Sequence, residues 1–305
     1  MVYIRGGLVL QLNDLFSSVK YDEPMKNYTS FKVGGNADIF FEPENIRELI
    51  EFIKYVKENS IPYILMGNGT NMVVSDEGIR GAVIKLGDKM SAVEIMEDRL
   101  IAQCGAKLPE AAKIAACHSL SGMEFASGIP GSIGGAISMN AGAYGVEMKE
   151  IVEKAEVLDS NLEYRVLQNK EMEFGYRKSA VEKYGYTVLG CTLKLKKANK
   201  ADIKMLMDEY TDRRQSKQPL NLPSAGSVFK RPEGYYAGKL IEDAGLRGYT
   251  IGGAQISEKH CGFIVNTGDA AAKDIYNLIK HIQRTVYERF GVKLETEIKL
   301  IGRFE

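Results

Sequence analysis

The sequence predicts an α+β chain of three successive units, and three observations carry that prediction. The length of 305 residues allows two ordinary domains or three small ones. Helical and strand periods are mixed along the chain, with no internal repeat and no low-complexity segment. The QSKQPLNLPSAGS stretch at 215–227 loses periodicity and gathers prolines and polar residues, and a second unit begins near Gly87 after the strands of the first. The expected units are therefore 1–86, 87–215 and 216–305.

In the first unit, Gly34-Gly35 makes a turn and Ala37, Ile39 and Phe41 alternate as a strand. After Pro43, Ile46, Leu49, Ile50, Ile53 and Val56 fall at helical spacing, ending near Asn59. Ile61 to Met66, Val73-Val74 and Ala82 to Leu86 read as strands, so the expected order is β-α-β-β-β. The second unit opens with a strand at Leu100–Cys104 and a helix from Leu108 through Cys117, with Pro109 in its first turn. Antiparallel strands are expected at Val152–Leu158, Tyr164–Leu167 and Tyr186–Leu195. A helix follows over 201–214, with Ile203, Leu206, Met207 and Tyr210 inward. In the third unit the pattern predicts a helix near Tyr236–Ala244, strands at Tyr249–Ile256 and Gly262–Val265, and a long striped helix over Ala270–Phe290. The last strand is expected at Leu294–Ile301.

Two glycine loops interrupt these elements. The longer, SGIPGSIGGAISMNAGAYG at 127–145, is small and uncharged, which makes a poor packed helix but lets backbone come close to a ligand. The shorter is Gly67-Asn68-Gly69-Thr70-Asn71. Neither fits a P-loop, and Met72 stands where a dinucleotide fingerprint needs its third glycine. Together they suggest one long nucleotide held from both sides, its diphosphate met by amide dipoles rather than by Lys or Arg. Each alone also reads as ordinary turn glycine.

Composition narrows the chemistry. Lys plus Arg equals Asp plus Glu at 40 each, against a nucleic-acid or anionic-membrane partner. No apolar run approaches the ~20 residues of a membrane span, and the start MVYIRGGLVLQLNDLF reads as no secretory signal. Cys104, Cys117, Cys191 and Cys261 lie far apart, as buried free thiols of a reducing compartment would. With only three histidines, no metal site is expected.

Three polar positions stand out. Ser227, after Ala225-Gly226 and before Val228-Phe229-Lys230-Arg231, suits a turn facing a cleft and could pass one proton, but local sequence alone favours a turn serine bonding its own backbone. Arg177 in Gly175-Tyr176-Arg177-Lys178-Ser179 can clamp a carboxylate, or belong to a solvated loop. Glu297, in LETEIKLI, alternates onto the polar face of a strand that borders either a cleft or water.

Taken in order from about residue 20 to 302, NYTSFKVGG at 27–35, MGNGTNMVVSD at 66–76, 127–145, 175–179, 217–232 and 294–302 resemble the UDP-N-acetylenolpyruvoylglucosamine reductase family. The resemblance implies a vanillyl-alcohol-oxidase-type pair of FAD-binding α+β subdomains plus an α+β substrate domain. It implies non-covalent FAD, with NADPH as co-substrate reducing the flavin before the enolpyruvyl group of a UDP-sugar takes up hydride. FAD would lie against Gly67, Asn68, Gly69, Thr70 and Asn71, and against Ser127, Gly128, Pro130, Gly131, Ser132, Gly134, Gly135, Asn140 and Gly142. Arg177 and Glu297 match the family's stabilisers of the developing enolate, and Ser227 its proton donor. Tyr176, Lys217 and Arg231 would face the uridine diphosphate. The short stretch between Gly175 and Ala201 implies the subclass without an inserted substrate-closing loop. A cytoplasmic monomer is expected. On residues alone, an alcohol or hydroxy-acid oxidase on the same scaffold, or a sugar-nucleotide binder without chemistry, stays open.

Overall fold

The structure, a computed structural model, describes Leu12 and residues 15–304. Most of the N-terminal stretch read above as carrying no secretory signal lies outside the described residues. A four-stranded mixed sheet runs in the order Lys20–Pro24, Asn36–Phe41, Ile79–Lys85, Tyr63–Met66; the first pair is antiparallel and the others parallel. Against one face lies the Ile46–Glu58 helix, capped by the Asn45 side chain, which accepts the Glu48 N–H at 3.0 Å. Its Leu49, Phe52, Ile53 and Val56 are fully buried, each stabilising by about 1.5–3 kcal/mol. Ile39 and Phe41 point into this core, and Phe40 into a smaller one on the opposite face with Met25 and Val83.

A second sheet is wholly antiparallel, in the order Tyr164–Gln168, Val152–Leu158, Thr187–Lys194, Arg99–Gln103, Val93–Met96. The Leu108–Cys117 and Ile133–Ser138 helices share its core with the Ile46–Glu58 helix, so the first two sheets bury one continuous interior. The third core packs the Ala237–Asp243 and Ala272–Phe290 helices on a small antiparallel sheet of Thr250–Ile251, Ala254–Ile256 and Ile264–Asn266. Ile275, Leu278, Ile279, Ile282 and Val286 form the buried stripe of the long helix, as their spacing predicts.

Several expectations need correction. The strand at Met72–Val74 does not join the first sheet; it pairs in parallel with Lys299–Ile301, Met72 opposite Lys299. Only Lys299–Ile301 of the expected last strand is regular, and Thr296 makes a single bridge to Phe229. Strands at Lys20–Pro24 and Val93–Met96 were not expected. The long glycine loop contains a helix after all, Ile133–Ser138, because Ser132 caps it and Ile133 and Ile137 anchor it in the core. The helix expected over 201–214 extends over Lys200–Lys217. Ile203 is its one buried residue; Leu206, Met207 and Tyr210 are half-buried. Cys117 is exposed, whereas Cys104, Cys191 and Cys261 are buried.

Candidate active site

The parallel pairing of Met72–Val74 with Lys299–Ile301 brings the chain's end beside the first glycine loop, and the site is built at that junction. Asn71 donates its side-chain N–H to the Glu297 carbonyl at 3.2 Å and accepts the Lys299 N–H on its own carbonyl at 3.0 Å. The Glu297 N–H donates to Val228 O at 2.8 Å, so one ladder fixes Glu297 relative to the segment that carries Ser227. Ser227 itself bridges Phe263.

The two glycine loops meet across a cavity of about 780 Å3. Their contact is close: a Cβ on Gly67 would lie 2.4 Å from Ser132 Oγ. Gly69 takes φ +62°, and a Cβ there would fall 2.1 Å from the Tyr28 carbonyl, so the loop can pass only as glycine. Gly67 to Asn71, Ser127, Gly128, Pro130, Gly131, Ser132, Gly134, Gly135 and Gly142 all line the cavity. Asn140 does not. It is wholly buried behind the wall, and its side chain is used up on protein partners. Beside the amide dipoles of the glycine loops, the cavity also has a cation in its wall. The Arg214 side chain lines the cavity and lies against Gly128, with no ion-pair partner among the described residues; burial holds its guanidinium below the ordinary value. Cys104, also in this wall, is an inert thiol whose pKa burial pushes up to about 12.

A second cavity, of about 350 Å3, opens on the other side, and both are lined by Arg177, Ser227 and Glu297. Arg177 Nε donates to Glu297 Oε1 at 2.8 Å, the side chains 18% and 12% exposed, and an Nη donates to Gly142 O at 3.3 Å. Burial raises the Glu297 pKa, opposed by the charge and hydrogen bond of Arg177 and the charge of Lys230. Arg177 sits at φ +54°, a left-handed conformation that costs a non-glycine residue about 1–2 kcal/mol. Strain of that kind persists where surrounding structure over-determines it, as at a functional turn.

The second cavity is rich in cations and aromatics. Tyr176 Oη accepts the Arg231 backbone N–H at 3.1 Å, and the Arg231 guanidinium lies 4.0 Å from the Tyr236 ring centroid. Arg247 and Lys259 also line it, as does His260, whose Nδ1 accepts the Gly262 N–H at 3.0 Å. Burial lowers the His260 pKa and favours the neutral ring. Such a wall suits a diphosphate. Lys217 is exposed in the last turn of its helix and lines neither cavity, so of the three expected diphosphate residues two converge.

The larger cavity's own wall tests whether FAD suits it. Ser30 Oγ and Gln218 Oε1 are buried, lack a partner among the described residues, and both line the cavity. An unpaired buried polar atom costs about 1–3 kcal/mol, so two such atoms fit a polar ligand. With the glycine wall and the Arg214 guanidinium, these residues suit a dinucleotide. Ser30, Arg214 and Gln218 were missed because an isolated polar residue in a loop or helix carries no motif. Arg247 and Lys259 likewise lie in no motif that sequence could single out.

Fold and cavity together define a flavin-dependent oxidoreductase, and the comparisons agree: residues 37–166 match the FAD binding domain family. Residues 218–301 match the C-terminal domain of UDP-N-acetylenolpyruvoylglucosamine reductase. Curated relatives of that name include one from Caldanaerobacter subterraneus subsp. tengcongensis, 52% identical over 97% of this chain and 98% of its own. Another, from Clostridioides difficile, is 54% identical over 99% and 98%. The crystal structure of the Thermus caldophilus enzyme of that name superposes with a TM-score of 0.80 at 35% identity, covering 93% of this chain and 98% of that one. The chain belongs to the UDP-N-acetylenolpyruvoylglucosamine reductase family. The FAD-binding α+β fold that the sequence motifs implied is the one observed. Among the described residues, no helix is long and apolar enough to cross a membrane, and no His, Cys, Asp and Glu cluster is placed to hold a metal ion.

Proposed function

We propose that this protein reduces the enolpyruvyl group of UDP-N-acetylglucosamine enolpyruvate to UDP-N-acetylmuramate, in peptidoglycan precursor synthesis in the cytoplasm, with NADPH as co-substrate. The observation that carries the reading is the meeting of a glycine-walled cavity and a cation-lined one at Arg177, Ser227 and Glu297. FAD, held non-covalently by the glycine loops, supplies the hydride chemistry when bound.

The chain's own residues account for the rest. Tyr176 and Arg231, with Arg247 and Lys259, hold the UDP end in the smaller cavity. Hydride addition to the terminal vinyl carbon leaves the electron pair as an enolate spread over the carboxylate. Arg177 meets that charge with the N–H groups not engaged by Glu297 and Gly142. Glu297, its pKa raised, holds a proton at Oε2 to higher pH than an ordinary carboxyl while Oε1 accepts from Arg177. Ser227 donates the proton that converts the enolate carbon to the saturated lactyl ether. The test is direct: NADPH oxidation by the purified yellow protein should depend on the enolpyruvyl sugar nucleotide, with product heavier by two hydrogens in mass spectrometry. NADPH oxidation indifferent to that compound, or a colourless protein, defeats the proposal.

A further inference from the structure

Arg177 occupies a tight turn in an unfavourable conformation, and the question is what holds it there. Gly175 and Lys178 exchange both backbone hydrogen bonds, at 3.0 and 3.2 Å, which closes the turn but does not fix it to anything. Besides the side-chain contacts of Arg177 and Tyr176, its backbone is anchored from the end of the Ile133–Ser138 helix and the segment just beyond it. Asn140, wholly buried and at φ +46°, donates one side-chain N–H to the Gly175 carbonyl at 3.0 Å. Its other N–H goes to Glu147 Oε2 at 3.0 Å, and its Oδ1 accepts the Lys149 N–H at 2.9 Å, so both donors are spent and the amide cannot rotate freely. On the far side of the turn, buried Ser179 donates its hydroxyl to Ser138 O at 2.7 Å. One turn is thus pinned at one end to the last residue of the short helix and at the other to Asn140 just beyond it, and that helix lines the larger cavity through Gly134, Gly135, Ala136 and Ser138.

We infer that Asn140 is a positioning residue, which with Ser179 brackets the Gly175–Lys178 turn and sets the guanidinium of Arg177 on the substrate carboxylate. It rests on the proposed role of Arg177, and it moves Asn140 from the cofactor to the substrate half of the site. The glycine-rich segment then serves two ends: its helix walls the cofactor cavity, and the residues around it hold the carboxylate clamp.

The test uses Asn140→Gly, because glycine keeps φ +46° without strain and removes only the side chain. Four readouts are taken on the purified flavoprotein. Hydrogen exchange at the Lys178 amide should accelerate. Flavin content and flavin reduction by NADPH should stay within about twofold. Flavin reoxidation by the enolpyruvyl substrate should slow on the order of 10²-fold, as expected for a misplaced clamp. Asn140→Asp should act in the same direction, since it sets an acceptor against the Gly175 carbonyl and the Glu147 carboxylate. Unchanged reoxidation overturns the inference, and so does a parallel fall in flavin content and both half-reactions. If Asn140→Gly fails to fold, Ser179→Ala removes the opposite pin and should slow reoxidation roughly tenfold while sparing reduction; equal effects on both would again overturn it. A wild-type protein whose flavin the substrate never reoxidises defeats the proposed function instead. The bracket is then judged by Lys178 exchange alone, and unchanged exchange in Asn140→Gly refutes it.

Discussion

Replacing Arg177 by lysine keeps the charge and removes the fork, and the geometry says how much that should matter. A guanidinium has five N–H donors; two are committed, to Glu297 Oε1 at 2.8 Å and Gly142 O at 3.3 Å. Three therefore remain for a substrate carboxylate, enough for a two-point grip. An ammonium has three donors in all, so the same two partners would leave one. The loss is at least one charge-assisted hydrogen bond, worth about 1.5–3 kcal/mol, or roughly 10- to 150-fold in rate at ~1.4 kcal/mol per decade. The assay is anaerobic stopped-flow on both half-reactions. Flavin reduction by NADPH should be unaltered, and reoxidation by the enolpyruvyl substrate slowed by that factor. Wild-type reoxidation in Arg177→Lys, or equal slowing of both halves, would refute the reasoning.

Three further outcomes are expected. Ser227→Ala should leave flavin reduction nearly intact and slow reoxidation by at least ~10²-fold, the effect of a lost general acid; equal slowing of both steps would make Ser227 structural. Gly69→Ala should lower retained flavin, seen in the visible band, because its Cβ would lie 2.1 Å from the Tyr28 carbonyl at φ +62°; full flavin content contradicts the close fit of that loop. Glu297 has a folded pKa raised above 4.5, so its contribution to stability is present below that value and lost as pH rises through the folded pKa. In urea melts across that window, Glu297→Gln should therefore gain on the wild type with rising pH, and a gap constant with pH would contradict the buried carboxyl.

What the sequence made legible was local. The Ile46–Glu58 and Ala272–Phe290 helices follow from single apolar stripes, and Leu108–Cys117 from a proline in its first turn. The glycine loops were readable because only glycine tolerates contacts such as the one between Gly69 and Tyr28. Pairings across long separations were not readable. Nothing within Met72–Val74 says that its partner lies at Lys299–Ile301, yet that pairing sets Glu297 beside Asn71. The capping of Ile133–Ser138 by Ser132 outweighed poor glycine propensity because its two isoleucines have a core to enter. Asn140 looked like one more ligand of the loop, since a sequence pattern places a residue near a site without saying which way it faces.

The order of events at the flavin is the most direct test of the enolpyruvyl-reductase chemistry. The purified protein is mixed anaerobically with NADPH, then with UDP-N-acetylglucosamine enolpyruvate, while the visible flavin band is recorded. Bleaching on the first addition and full recovery on the second are expected. Bleaching without recovery would leave a flavoprotein with a different acceptor, and would contradict the assignment of Arg177, Ser227 and Glu297 to an enolpyruvyl substrate.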